Sequence, residues 1–314
     1  MISVGSNPVV HVNVPTNRNL LLFTGSLTVL LIAATVIFGF YVLAIAAVSY
    51  AVAIIIEGLF ARFRKRKLDA AWMVTPLVLA LLMPPTAPLW LVAIGSGFGV
   101  FFGKSIFGGL GRNVFNPALV GYLFVLISFP VQMTTQWLDP LQPDLITTAT
   151  PLISLRSGVG FDYTLWQLLM GNVPGTLGET FRLGILVLGL LLIILKVIDW
   201  RIPLAFIGTV FVVTLVGSWI DDTFYTFRDP FMSLFVGGLM FGAFFVATDP
   251  VTAPVRPWGR VCYGIGIALI TVVIRSTIGF PEGVTFAIII MNAVTPLIDN
   301  WRHTPDVETV EVPS

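Results

Sequence analysis

The 314-residue sequence has few charged residues for its length. Asp, Glu, Lys and Arg make up 11% of it and hydrophobic residues 56%, whereas an average soluble domain has roughly 25% charged residues. Because so few charges cannot cover the surface of a water-soluble fold of this size, the composition indicates an integral membrane protein. The net charge of +1 also gives no sign of nucleic-acid binding.

The sequence is equally poor in side chains that hold metals. It contains one cysteine, Cys262, and two histidines, His11 and His303. One thiol can supply neither an iron–sulfur cluster nor a disulfide, and two histidines near the chain ends cannot hold a buried haem. No metal site is predicted. If this protein transfers electrons, an organic cofactor must carry them.

What the sequence does contain is long apolar runs, which predict an all-α integral membrane fold of about ten transmembrane helices. A hydrocarbon core about 30 Å thick needs around 20 apolar residues per helix. The predicted spans are 20–38, 41–60, 70–84, 89–103, 115–131, 182–197, 203–219, 231–248, 260–275 and 284–299. Several are short and interrupted by Gly and Pro, which is typical of broken helices around a central site.

The distribution of Lys and Arg predicts the orientation, because short cytoplasmic loops are enriched in both. The basic run 62–67 follows the second span, which places that end and both chain termini in the cytoplasm. The predicted organisation begins with a cytoplasmic N-terminus (1–19) and a first five-helix half (20–131). An extracytoplasmic loop (132–181), a second five-helix half (182–300) and a disordered cytoplasmic tail (301–314) follow.

A short string occurs twice, as Thr86–Pro88 and as Thr252–Pro254. The charge rule places the first copy outside and the second inside, as expected for two inverted five-helix repeats. Proline-containing turns between membrane helices are common, and a chance match is the alternative. If the repeat is real, its breaks predict a polar site between the halves, because irregular backbone at membrane depth needs partners.

Two segments offer polar groups for such a site. The first is the glycine-rich segment 108–118, in which Asn113 and Asn116 carry amides that suit the edge of a heterocycle. The alternative is helix capping and interhelical hydrogen bonding. The second is Asp249 at the end of an apolar span, where an ionisable residue suggests function. Its alternative is an N-cap, with Pro250 at the first helical position.

Two further polar groups are interpreted more simply. Glu57, near the end of the second span, is predicted to pair with Arg62 or Arg64. The alternative is a role in an ion pathway. The string Gly103–Ser105 resembles the end of a phosphate-binding loop, but Phe98 stands where the opening glycine would be, so no nucleotide site is predicted.

Taken together, these motifs resemble the RnfD/NqrB family over most of the chain from about residue 68 to 299. The segments that carry the resemblance are 75–90, 103–122, 175–180, 197–203, 247–254 and 286–299. The resemblance implies a urea-transporter-like architecture and an electron-transport subunit in a prokaryotic inner membrane. It also implies coupling to Na⁺ or H⁺ movement, other subunits of an Rnf/Nqr-type complex as partners, and contact with membrane lipid.

The resemblance also implies flavins. The family's flavinylation motif, Asp-x-x-Ser/Thr-x-Ala-Thr, is matched in the outer loop by Asp144, Thr147, Ala149 and Thr150, while Thr148 departs from the usual residue. Thr150 would then carry FMN through a phosphoester made by a separate flavin transferase.

A second, non-covalent flavin such as riboflavin would lie between the halves, at Asn113, Asn116, Thr248 and Asp249. The competing interpretations are a small-solute channel on the same scaffold and a non-redox assembly scaffold. Neither has a use for the outer motif.

Overall fold

A computed structural model describes residues 15–65, 68, 70–140, 142–147, 152, 154, 163–220, 229–277 and 283–301. Over these residues the protein is mostly helical, with one short β-hairpin. Five helices are long and apolar enough to cross a membrane. They are α1 (Asn17–Phe38), α2 (Tyr41–Phe63), α9 (Arg201–Ile220), α12 (Pro257–Thr277) and α13 (Gly283–Asn300).

The remaining helices are shorter. They are α3 (Val74–Leu82), α4 (Leu89–Val100), α5 (Pro117–Ser128), α6 (Pro130–Thr134), α7 (Leu165–Met170), α8 (Arg182–Ile194), α10 (Pro230–Phe235) and α11 (Leu239–Phe241). A 3₁₀ turn, Ala70–Met73, precedes α3. Each of the ten apolar segments predicted from hydropathy contains helix, and several are as short or broken as their Gly and Pro content indicated.

Two helices change to π geometry at their C-terminal ends. Phe101–Ser105 continues α4, and Gly242–Val246 continues α11. The widened turns are closed by bonds from the Ile106 N–H to the Phe101 carbonyl, 3.1 Å, and from the Ala247 N–H to the Gly242 carbonyl, 2.7 Å. Such turns occur often at functional sites because they redirect side chains out of the helical register.

The segment between α10 and α11 breaks a predicted span in two. Gly237 takes φ +71° there, a conformation that favours glycine. The buried Arg275 of α12 donates to the carbonyls of Ser233, 3.0 Å, and Val236, 2.9 Å. These bonds satisfy backbone groups that the break removes from the helical pattern, which is required where no water is available.

Helices α4 and α5 approach closely because glycines face each other. A Cβ added to Gly121 would collide with the carbonyl of Gly95, and one added to Gly99 would collide with the carbonyl of Pro117. Small residues allow membrane helices to pack backbone against backbone. This contact fixes the start of α5 beside the π turn that ends α4.

The predicted outer loop has structure that hydropathy did not indicate. Strands β1 (Trp137–Asp139) and β2 (Gln142–Thr147) pair as an antiparallel hairpin, so the fold is not purely helical. Further on, residues 173–180 are buried rather than exposed. The N–H groups of Leu177 and Gly178 donate to the carbonyls of Met83 and Leu81, at 3.1 and 2.6 Å, just past α3 and at its end.

The two Thr-Ala-Pro strings occupy comparable places in the chain. Thr86–Pro88 lies between the end of α3 and the start of α4, and Thr252–Pro254 lies between the second π turn and α12. Two helices follow each string, α4 and α5 in one case and α12 and α13 in the other. The element order therefore agrees with a repeat, while the inverted relation of the halves stays a prediction.

Candidate functional site

The four residues predicted between the two halves line one cavity. Asn113 and Asn116 come from the first half, and Thr248 and Asp249 from the second. All four are at least half-buried in the structure. The sequence predicted that these segments meet, although more than 130 residues separate Asn116 from Asp249 in the chain.

On the first side, the glycine-rich turn delivers the two asparagines. Gly108, Gly109 and Gly111 take φ values of +119°, +96° and +82°, which favour glycine and let the chain turn sharply before Asn113. Asn116 then caps α5, accepting from the N–H groups of Ala118, 3.0 Å, and Leu119, 3.4 Å. The capping alternative is therefore confirmed for Asn116.

On the second side, a turn rather than a helix follows Asp249. One carboxylate oxygen accepts from the Val251 N–H at 3.1 Å, and α12 begins only at Pro257. The interpretation of Asp249 as the N-cap of a helix starting at Pro250 is therefore wrong. The Thr248 hydroxyl donates to the Phe244 carbonyl at 2.6 Å, inside the second π turn.

A hydrogen-bonded network joins the two sides. The Asn116 amide donates to the second carboxylate oxygen of Asp249 at 3.3 Å. The Asn116 N–H donates to the side-chain oxygen of Asn292 at 3.1 Å, and the Asn292 amide donates to the Tyr263 hydroxyl at 2.7 Å. Asn116 thus contacts the Asp249 turn and α13, and through Asn292 it is linked to α12.

Three polar residues around the cavity were not predicted from the sequence: Asn292, Tyr263 and Lys104. Asn292 and Tyr263 are almost fully buried in otherwise apolar helices. Their signal was a polar side chain at an interior helical position, and Asn292 also lies in segment 286–299 of the family resemblance. Lys104 was interpreted as part of a string that resembles a phosphate-binding loop, and it lies in segment 103–122 of the family resemblance.

The predicted pairing of Glu57 with Arg62 or Arg64 is wrong. The structure pairs Glu57 with Lys104, whose ammonium lies 2.8 and 3.0 Å from the two carboxylate oxygens. Arg64 instead lies over the ring of Phe60 and donates to the Ile106 carbonyl. Lys104 also lines the cavity, so its positive charge and the carboxyl group of Asp249 border the same space.

The cavity combines polar groups from both segments with apolar wall residues. Phe23 and Phe245, whose ring centroids are 5.7 Å apart, are two of its wall residues. Its inner volume is about 70 Å³. A wider recess of about 500 Å³ adjoins it and shares several lining residues, among them Asn19, Val197 and Thr248. The inner cavity therefore opens beside a larger space bordered by Lys196, Asp199 and Arg260.

The structure describes only part of the predicted flavinylation motif. Asp144 and Thr147 belong to strand β2. Ala149 and Thr150 lie outside the described residues.

The described residues contain five helices long and apolar enough to cross a membrane, and residues from both parts of the chain line one cavity. These features define a multi-pass membrane protein with an interior site. The chain belongs to the NQR2, RnfD, RnfE family, whose model matches residues 3–307. Three relatives illustrate its similarity to other proteins.

The chain is 36% identical to the D subunit of the ion-translocating oxidoreductase complex of Yersinia pseudotuberculosis, over 96% of this chain and 97% of that one. It is 38% identical to the protein of the same name in Alcanivorax borkumensis, over 80% and 81% of the two chains. The D subunit of the Na⁺-translocating ferredoxin:NAD⁺ oxidoreductase complex of Acetobacterium woodii is 37% identical, over 86% and 84%.

Proposed function

We propose that this chain is a flavin-carrying membrane subunit of an Rnf-type ion-translocating oxidoreductase. Family membership and the names of the relatives support the general role in an ion-translocating complex. The proposal adds FMN attached to Thr150 through a phosphoester, a second flavin such as riboflavin in the cavity, and coupling to Na⁺ or H⁺ movement. A flavin transferase, the other complex subunits and membrane lipid are the proposed partners.

The observation that carries the second flavin is the convergence of four predicted residues on one cavity. The family resemblance implies that Asn113, Asn116, Thr248 and Asp249 bind a flavin, and these residues come together from distant parts of the chain. A set of residues that served capping alone would have no reason to share one cavity.

The chemistry of the lining fits an isoalloxazine ring. Such a ring has apolar faces and an edge of hydrogen-bond donors and acceptors, and cofactor sites are typically apolar with a few placed polar groups. Phe23 and Phe245 supply apolar wall, while Asn113 and Asn116 supply amides. The inner 70 Å³ is smaller than a three-ring system, so the ring must also use the adjoining recess.

In this arrangement the protein supplies orientation and electrostatics, and a flavin supplies the capacity to accept one or two electrons. The amides of Asn113 and Asn116 would hold the polar edge of the ring. The phenyl rings would exclude water from its faces. Asp249 would keep the Asn116 amide in place through the bond already present in the structure.

The proposed membrane arrangement has ten transmembrane helices in two inverted halves, like that of urea transporters. Both termini lie in the cytoplasm of a prokaryotic cell, and residues 132–181 face outward. The charge distribution supports this orientation. In this proposal Thr150 belongs to the outward-facing segment and the second flavin lies between the two halves, so that the two flavins would act in series.

The covalent flavin is tested by in-gel flavin fluorescence of the denatured chain, with intact mass, in a host that supplies a flavin transferase. We expect a fluorescent band for the parent and for Thr148→Ala, and none for Thr150→Ala. The neighbouring hydroxyl is the matched control. If the parent lacks covalent flavin in that host, or if Thr150→Ala retains it, the assignment of Thr150 is wrong, and the channel or scaffold interpretation gains weight.

A further inference from the structure

Lys104 and Glu57 form a buried ion pair between α2 and the π turn that ends α4. The ammonium lies 2.8 Å from the nearer carboxylate oxygen, and the two side chains are 4% and 8% exposed. Removing two ions from water costs several kcal/mol each, and a well-packed apolar pair is often as stable. Stability alone therefore does not account for a lysine at this position.

The pair has a defined direction relative to the cavity. Lys104 lines the cavity, whereas Glu57 is not among the described residues that line it and lies behind Lys104 on α2. Gly103 holds the π turn against α5, because a Cβ there would lie 2.8 Å from the Pro117 Cα atom. The pair therefore presents its positive end to the space beside Asn116.

We propose that Lys104 is the cation that a flavin in this cavity faces, and that it raises the reduction potential of that flavin. The inference rests on the second flavin of the proposed function. Adding one electron gives the ring one more negative charge, and a nearby positive charge stabilises the reduced ring more than the oxidised ring. The effect is larger in an apolar cavity than in water.

Glu57 acts through Lys104 as a positioning residue. The Lys104 ammonium donates to both carboxylate oxygens of Glu57, at 2.8 and 3.0 Å, and these two bonds hold it at the wall of the cavity. Lys104 raises the reduction potential of the flavin, and a carboxylate at Asp249, which also lines the cavity, lowers it. The potential of the flavin is then set by the balance between Lys104 and Asp249.

The test uses the full chain in a Thr150→Ala background, so that only non-covalent flavin is present. The informative variant is the double substitution Lys104→Met and Glu57→Met, which removes the ion pair, with its positive end at the cavity, and leaves no buried ion unpaired. Lys104→Arg keeps the charge. Arg64→Met removes a positive charge from an exposed position and is the matched control.

The measurements are the midpoint potential of the bound flavin in an electrode titration and its Kd in the oxidised and reduced states. We expect the double variant to weaken binding of the one-electron reduced flavin about tenfold more than binding of the oxidised flavin, which equals a fall of about 59 mV. Lys104→Arg and Arg64→Met should stay close to the parent. If the double variant retains too little flavin for the electrode titration, the ratio of its Kd values for oxidised and reduced flavin gives the same shift in potential.

Two negative results are distinguishable. Equal losses of affinity in both redox states, or an equal fall in potential in Arg64→Met, would overturn the role of Lys104 and leave the second flavin intact. A parent protein that binds no releasable flavin would overturn the second flavin and this inference together.

Discussion

Asn116 has two structural roles, and substitutions can separate them. Its side-chain oxygen caps α5, and its amide donates to Asp249 across the cavity. Replacing an N-cap asparagine by alanine costs about 1 kcal/mol. Side-chain hydrogen bonds between membrane helices contribute about 0.6 kcal/mol on average and about 1.7 at most.

Two variants at position 116 should therefore differ in the free energy of unfolding. Asn116→Ser keeps a good N-cap and loses the bond to Asp249, so we expect a loss of about 1 kcal/mol. Asn116→Ala loses both, and we expect about 2 kcal/mol. Both variants should also bind less flavin, because each lacks the amide proposed to hold the ring.

The assay is reversible unfolding in mixed micelles with increasing dodecyl sulfate, followed by circular dichroism, with released flavin measured by chromatography. The reasoning would be refuted if Asn116→Ser lost as much stability as Asn116→Ala, because the cap would then contribute nothing. It would also be refuted if Asn116→Ser kept full flavin occupancy, because a serine hydroxyl cannot replace the amide contact.

Two further predictions concern packing and charge. Glu57→Gln should lower the free energy of unfolding by about 3–5 kcal/mol, because the Lys104 ammonium is then buried without the Glu57 carboxylate. In the same unfolding assay, the Lys104→Met and Glu57→Met double variant should recover most of this loss. A Glu57→Gln variant as stable as the parent would contradict the buried pair. Gly121→Ala should lower stability by more than about 1 kcal/mol because its Cβ meets the Gly95 backbone, at roughly the cost of one overpacked methyl. The control Gly208→Ala, in the transmembrane helix Arg201–Ile220, has no heavy atom within 4 Å of the new Cβ and should be neutral or slightly stabilising, so equal losses would contradict the close α4–α5 contact.

Hydropathy was sufficient to locate the helical segments because apolar length is a local property of the sequence. It could not show that residues 242–246 form a π turn. Nor could it place the break of the span 231–248 at Gly237, because the carbonyls freed there are bonded by Arg275 from a distant part of the chain. The hairpin was missed for a similar reason. Its strands are short, and hydropathy over a long window does not detect them.

The site was predicted in part. Asn113, Asn116, Thr248 and Asp249 belong to short motifs, so local patterns combined with the family resemblance found them. Asn292 contacts Asn116 from 176 residues away, and no local pattern indicates such a contact. Lys104 was missed because its neighbours form a familiar but irrelevant string, and its pairing with Glu57 depends on how α2 packs against α4.

The buried segment 173–180 places a condition on the order of folding. The backbone carbonyls of Leu81 and Met83 accept hydrogen bonds from Gly178 and Leu177, which the ribosome adds about 95 residues later. At roughly 5–20 residues per second, this part of the first half must wait on the order of 5 to 20 seconds for its partners. During synthesis those carbonyls must be hydrated or held by the insertion machinery, so this part of the first half completes its structure only when residues 173–180 have been translated and have packed against it.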